Sequence, residues 1–275
     1  MTKHDRQLKL ENVMKDIVNK YGAHAVQTMG EYASVPIGVV SSGLPALDEA
    51  LGIGGFPKGR ITEIFGSEDS GKTTIALHAI AETLRAGGTA AFLDVEQSLD
   101  LTYIQNLGID VDKLIIGKPR NGEEALDVAD MLIRSGTIDI IVVDSVAALV
   151  PRDELEGDLH DSHEGLQVRL IEKGLRRLMI HLSTHDTICI FTNQVREKIP
   201  TLSFYGNNEI TSGGRALRYY STIRLDVRRI SSGAIRNDED AIIGWRTVIT
   251  VVKNKVAPPY KEAKLKLIFG KGFVE

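Results

Sequence analysis

The run Gly66, Ser67, Glu68, Asp69, Ser70, Gly71, Lys72, Thr73, Thr74 brings two glycines, a lysine and several hydroxyls together. It follows the β-rich run ITEIF and leads into the helical pattern TIALHAIAETLRAG. Glycines let a backbone wrap an anion with its N–H groups, and a helix start adds a favourable dipole. Lys72 can reach β- and γ-phosphates while Thr73 offers its hydroxyl to Mg²⁺. The spacing G-x-x-x-x-G-K-[ST], in strand–loop–helix context, is that of a Walker A loop. Residues 66–73 are therefore expected to hold the phosphates of a nucleoside triphosphate, and the chain reads as a hydrolase of the P-loop class.

Such a site needs a second oxygen ligand behind the metal, and the apolar run IIVVD ends in Asp144, the Walker B pattern. Hydrolysis also needs a group that orients or deprotonates water. Glu96, taken as the end of the strand AAFLDVE, is assigned that work, with Asp94 on the same face as the competing carboxylate.

The elements that must carry these groups follow from periodicity. Strands are expected at 60–65, 89–96, 114–117, 139–146 and 187–195, alternating with helical patterns. IIVVD and ICIFT are apolar at consecutive positions, as in parallel strands covered on both faces. Further strands at 221–230, 245–256 and 263–269 lack long helices between them and are expected to be antiparallel. The expected fold is α/β: a mostly parallel central sheet with helices on both faces and antiparallel strands at the C-terminal end. Ahead of it, Leu10, Val13, Met14, Ile17 and Tyr21 recur at helical spacing up to Gly22. Residues 1–33 are thus expected to form a helix and linker that docks on its own core or on a neighbouring subunit, and 34–275 the nucleotide-hydrolysing core.

The composition, 43% apolar and 25% charged, supports a full hydrophobic core. The sequence has neither the ~20-residue apolar run that spans a bilayer nor the apolar core of a signal peptide. A soluble, cytoplasmic protein without membrane contact is expected. The one cysteine, Cys189, lies in an apolar run and suits a reducing compartment. A net charge of −4 argues against bulk attraction to nucleic acid, but residues 213–264 hold eleven Lys and Arg against five Asp and Glu. That permits a local basic strip. His160 and His163 are too few to hold zinc.

Longer runs go beyond general P-loop meaning: SSGLPALDEALGIGGFPKGRITEIFG, SEDSGKTT, LGIDVDKL, DIIVVDSVAALVP, DSHEGLQ, FTNQVREKI, SGGRALRYYSTIRLDVRRI and VVKNKVAPPYK. With them the chain resembles the bacterial RecA recombinase family from about residue 41 to residue 270. The resemblance implies a RecA-type fold and a DNA-dependent ATPase that uses ATP and Mg²⁺. It also implies helical filaments on single-stranded DNA, pairing with duplex DNA, and stimulated self-cleavage of a LexA-type repressor in the SOS response.

By the same resemblance Glu96 activates water, Tyr103, after Asp100, lies by the adenine, and Phe269 stands near the base. Gln194 reports the γ-phosphate to DNA. Residues 156–165 and 195–212 correspond to the two DNA-binding loops, with Arg196, Lys198, Ile199, Gly213 and Gly214 in or beside the second. Arg169 and Arg176 match DNA contacts on the adjoining helix. Lys253 and Lys255 match lysines that cross to the neighbouring subunit's nucleotide, and Arg218 and Tyr219 fall at the subunit boundary.

Departures from the family pattern are expected to matter. Glu164 replaces an apolar residue, Glu172, Glu197 and Pro200 are unusual, and Val248 and Thr250 stand at positions commonly basic. The family's C-terminal domain and acidic tail are expected to be missing, the chain being either a shortened or a minimal, divergent member. These differences predict a weakened duplex-holding site and slower strand exchange. Two other readings keep the same core: a ring-forming helicase or motor, and a regulatory nucleotide-binding filament module.

Overall fold

The structure, a computed structural model, describes residues 1–33, 36–158, 165–197 and 209–275. They fall into two compact units, Met1–Gly38 and Val39–Glu275. The first contains α1 (Lys3–Tyr21) and α2 (Met29–Ala33). α1 starts at a capping box: the Thr2 side chain accepts the Asp5 N–H, and the Asp5 carboxylate accepts the Thr2 N–H at 2.9 Å. It stops at Gly22, whose φ of +95° is open to glycine.

The second unit runs β1 (Val39–Val40), α3 (Pro45–Leu51), β2 (Phe56–Pro57), β3 (Ile61–Gly66), α4 (Lys72–Arg85), β4 (Ala90–Asp94), α5 (Leu101–Asn106), β5 (Leu114–Gly117), α6 (Gly122–Arg134) and β6 (Ile140–Asp144). It continues with α7 (Arg152–Glu156), α8 (Leu166–Leu182), β7 (Ile188–Glu197), β8 (Glu209–Thr211), α9 (Ala216–Tyr220), β9 (Ile223–Arg236), β10 (Ile242–Asn254), β11 (Glu262–Ile268) and β12 (Gly272–Val274). Apart from the small β1–β2 pair, the strands form one sheet in the order β12-β11-β10-β9-β3-β7-β6-β4-β5, with β8 on β7. From β9 to β5 the pairing is parallel, and from β9 to β12 it is antiparallel.

Alternation along the strands divides the core into two layers. Phe92, Ile140, Val142 and Ile190 pack with α3 and α4 on one face, while Leu93, Ile141, Val143 and Phe191 pack with α6 and α8 on the other. Each such fully buried side chain contributes roughly 1.5–3 kcal/mol relative to exposure, which fixes the strand ends where the chemistry sits. Cys189 is buried in the second layer, and burial pushes its thiol well up from the usual range.

Three local expectations need correction. β4 ends at Asp94, so Glu96 lies in the turn beyond the strand. Residues 195–197 and 209–211 form a hairpin, Val195 pairing with Thr211, where an irregular loop was expected. The β9–β10 hairpin is longer than expected, and its turn is closed by Asn237, whose side chain accepts the Glu239 and Ala241 N–H groups.

Candidate nucleotide-binding site

β3 delivers the chain into the 66–71 loop, and α4 leaves it. Gly71 is the N-cap of α4 with φ +98°, and no side chain caps the helix, so its first N–H groups point free into the loop. A Cβ at residue 71 would stand 2.6 Å from Cζ of Phe273. Asp69 is also left-handed, at φ +50°. The Ser70 hydroxyl is buried with no hydrogen-bond partner among the described residues, as expected of a loop shaped for an anion.

Lys72 Nζ donates to the Ser67 carbonyl at 2.7 Å. Burial holds its pKa below the ordinary lysine value, opposed by the nearby Asp144, Glu96, Asp69 and Glu68 carboxylates. The Thr73 hydroxyl donates to Asp144 Oδ2 at 2.5 Å, and Thr192 donates to Oδ1. Burial raises the Asp144 pKa, while those two hydroxyls pull it back. Two hard oxygens, Thr73 Oγ1 and Asp144 Oδ2, converge beside the loop and fit Mg²⁺.

A cleft of about 590 Å³ gathers Glu68, Asp69, Gly71, Lys72, Thr73, Thr74, Glu96, Tyr103, Asp144, Gln194 and Phe269. Gly66, Ser67 and Ser70 belong to the same loop, with Gly66 and Ser70 buried. The Tyr103 hydroxyl lies 2.8 Å from Thr74 Oγ1. Asp100 caps α5 by accepting the Tyr103 N–H at 2.7 Å, and lines the adjoining groove.

Glu96 and Asp94 separate by environment. Asp94 is buried and accepts N–H bonds from Ser98 at 3.1 Å and Leu99 at 3.4 Å, which closes a turn. Glu96 faces the cleft, and its Oε1 accepts from the Ser145 hydroxyl and from Gln194 Nε2, the latter at 3.2 Å. Gln194 sits where β7 leaves the sheet, at the root of the β7–β8 hairpin.

Other expected site residues lie outside the cleft. Arg196 is exposed on the hairpin. Gly213 and Gly214, at φ +77° and +74°, form a left-handed turn before α9. Arg169 and Arg176 are exposed on α8, Arg176 being 3.9 Å from Glu172. Lys198 and Ile199, together with His160, His163, Glu164 and Pro200, lie outside the described residues. Lys253 near the end of β10 and Lys255 just past it have Nζ atoms that donate to the α9 carbonyls of Arg218 (Lys253, 2.6 Å) and Tyr219 (3.2 and 3.3 Å).

Lys253 is shifted down to about 8, by burial first and then by Lys255, Arg224 and Arg218, with Glu63 opposing. At pH 8 about half of it is then neutral, against under about 1% of an ordinary lysine. Acylation by a limiting amine-reactive ester should mark Lys253 at least ~10-fold faster than solvent lysines at pH 8, with the advantage shrinking by pH 10. Peptide mapping checks this, and equal rates would contradict the shift.

Several participants were not singled out from the sequence. Ser145, just past β6, meets Glu96 through β4–β6 adjacency, and Thr192, within β7, meets Asp144 through β6–β7 adjacency. Arg229 also lines the cleft, with its guanidinium over the Trp245 ring.

The phosphate strand β3 and the carboxylate strand β6 are separated by β7, whose polar end faces the loop. That arrangement defines a P-loop nucleoside triphosphatase with a RecA-type core. The family described as "RecA N-terminal domain" matches residues 8–274. "Protein RecA" of Brevibacillus brevis is 51% identical over 268 residues, covering 98% of this chain and 75% of the relative. "Protein RecA" of Lactobacillus johnsonii is 52% identical over 272 residues, 99% and 74%, and that of Nocardia farcinica 51% over 269 residues, 98% and 76%. The chain belongs to the RecA family, and it is a DNA-dependent ATPase of recombination and DNA repair. Among the described residues, no helix is long and apolar enough to cross a membrane.

Proposed function

We propose that ATP occupies the cleft with its phosphates in the 66–73 loop, and that the chain forms helical filaments on single-stranded DNA. Lys72 holds the β- and γ-phosphates, and Thr73 and Asp144 hold Mg²⁺, which when bound neutralises charge on the phosphate oxygens. Tyr103, Asp100 and Phe269 flank the base. Glu96 orients and deprotonates the attacking water, and Gln194 senses the γ-phosphate. Arg196, Lys198, Ile199, Gly213, Gly214, Arg169 and Arg176 form the primary DNA surface, and the filament presents a surface to a LexA-type repressor.

The observation that carries this reading is the Gln194–Glu96 hydrogen bond. It connects the water-facing carboxylate to the root of the hairpin proposed to meet DNA. A γ-phosphate competing for the Gln194 amide would move that root, so nucleotide state and DNA grip are linked through one side chain.

Lys253 and Lys255 do not line this chain's own cleft, and we assign them to the next subunit's phosphates, where a cation stabilises developing charge. Mixing tests this. A chain with Lys253→Ala and Lys255→Ala, combined with a Glu96→Gln chain, should recover ATPase activity at mixed boundaries. Shown co-assembly without any recovery would assign the lysines to their own subunit.

A further inference from the structure

Four adjacent strands, β7, β3, β9 and β10, contribute one polar side chain each to a row through the sheet: Asn193, Glu63, Arg224 and Lys253. Glu63 is fully buried on the strand that feeds the phosphate loop. Its Oε1 accepts from Asn193 Nδ2 at 3.0 Å, and its Oε2 from Arg224 Nε at 2.5 Å. The Arg224 guanidinium covers the Phe65 ring at 4.3 Å, and Arg224 is the register partner of Lys253. At the other end, Asn193 Oδ1 accepts the Gln194 N–H at 2.9 Å, and Asn193 Nδ2 donates to the Ser212 carbonyl at 3.0 Å.

Burying an ion pair is not a favourable way to hold a sheet, because desolvation offsets the attraction and apolar residues would serve as well. The row's value lies in its ends. One end fixes the backbone of Gln194 and of Ser212, the two feet of the hairpin. The other lies against Lys253, which with Lys255 holds the carbonyls at the end of α9. α9 itself runs between Ser212 and those carbonyls, so the network closes on itself.

We propose that Asn193, Glu63 and Arg224 are positioning residues that couple the Lys253–Lys255 edge to Gln194, so that phosphate engaged at the lysines is felt at the hairpin and at Glu96. Lysines drawn onto a phosphate release the end of α9, and its other end pulls on Ser212, Asn193 and Gln194. This rests on the assignment of Lys253 and Lys255 to a neighbouring nucleotide.

The test is Asn193→Ala, which cuts the row while leaving the Glu63–Arg224 pair in place. Stimulation of ATPase by single-stranded DNA should fall about tenfold, within the usual range of coupling between sites, and cooperativity in ATP should decline. Binding of a fluorescent ATP analogue should change less than about twofold, since Asn193 is assigned no contact with nucleotide. A merely structural residue would lower the melting temperature and all activities together. The neutral pair Glu63→Gln with Arg224→Gln, which keeps hydrogen-bonding groups at both positions, should give the same uncoupling. Full DNA stimulation and cooperativity in folded Asn193→Ala, while Lys253→Ala with Lys255→Ala abolishes both, would overturn the relay alone. Full stimulation in the lysine variant as well would overturn the lysine assignment and the relay with it.

Discussion

Glu96→Gln is expected to bind ATP normally and to lose turnover by a factor of ~10² or more, the scale of a general base. The geometry makes this substitution informative. Glu96 Oε1 accepts from Ser145 and Gln194, and a glutamine carbonyl in the same place accepts both bonds. The turn and the hairpin root are therefore preserved, and only the basic oxygen is removed. Lys72→Ala should behave differently. Its ammonium is half-buried and its pKa is held down by that burial, so an added phosphate supplies countercharge against the desolvation. Losing a charge-assisted contact of that kind weakens nucleotide binding by roughly 10- to 100-fold. Equilibrium titration with a fluorescent ATP analogue and single-turnover hydrolysis separate the two effects. Undiminished hydrolysis by Glu96→Gln would remove it from the chemistry, and unchanged binding by Lys72→Ala would remove the lysine from the phosphate site.

The phosphate loop was legible because its chemistry is local: glycine freedom, a helix start, a lysine and a hydroxyl lie within one stretch of chain. The parallel sheet was legible from consecutive apolar runs, which the two-layer split of Ile140 to Val143 explains. What escaped depends on strand neighbours. Thr192 meets Asp144 only because β7 lies beside β6, and Glu63 meets Arg224 and Asn193 only because β3 lies between β7 and β9. In sequence Glu63 is a charged residue in an apolar run, which marks something buried and paired but names no partner. The β7–β8 hairpin was missed because its paired arms are only three residues each and the sequence between them ends in Gly-Asn-Asn, which reads as loop.

Single-stranded DNA should stimulate the ATPase clearly, whereas exchange of a labelled duplex strand at the same protein coverage should be slow. Register across β9, β10 and β11 gives the reason. Val248 lies between Arg228 and Lys264, and Thr250 between Asp226 and Glu262. Of the flanking cations, Arg228 is already committed: Nη1 donates to Glu209 Oε1 at 2.8 Å, Nη2 to the other oxygen of Glu209, and Nε to Asp226 Oδ1 at 2.5 Å. The guanidinium in turn holds the Glu209 carboxyl below its usual range. Lys264 remains, 3.9 Å from Glu262. A phosphate backbone laid along this face thus meets Lys264, with Arg246 and Lys266 one pair further along, but around Thr250 it meets the carboxylates of Asp226 and Glu262. Val248→Arg with Thr250→Lys should steepen the dependence of log K on log salt for duplex by about 0.9 per phosphate contact, hence by roughly 2 for the pair. The Thr250→Lys share should be the smaller, since Asp226 and Glu262 flank it. Adding Glu209→Gln leaves Arg228 paired with Asp226 alone and should raise the slope again, by less than about 0.9. Faster strand exchange should follow in the same order as the slopes. Brisk exchange by the parent chain, or an unchanged slope in the double variant, would show that duplex is held elsewhere.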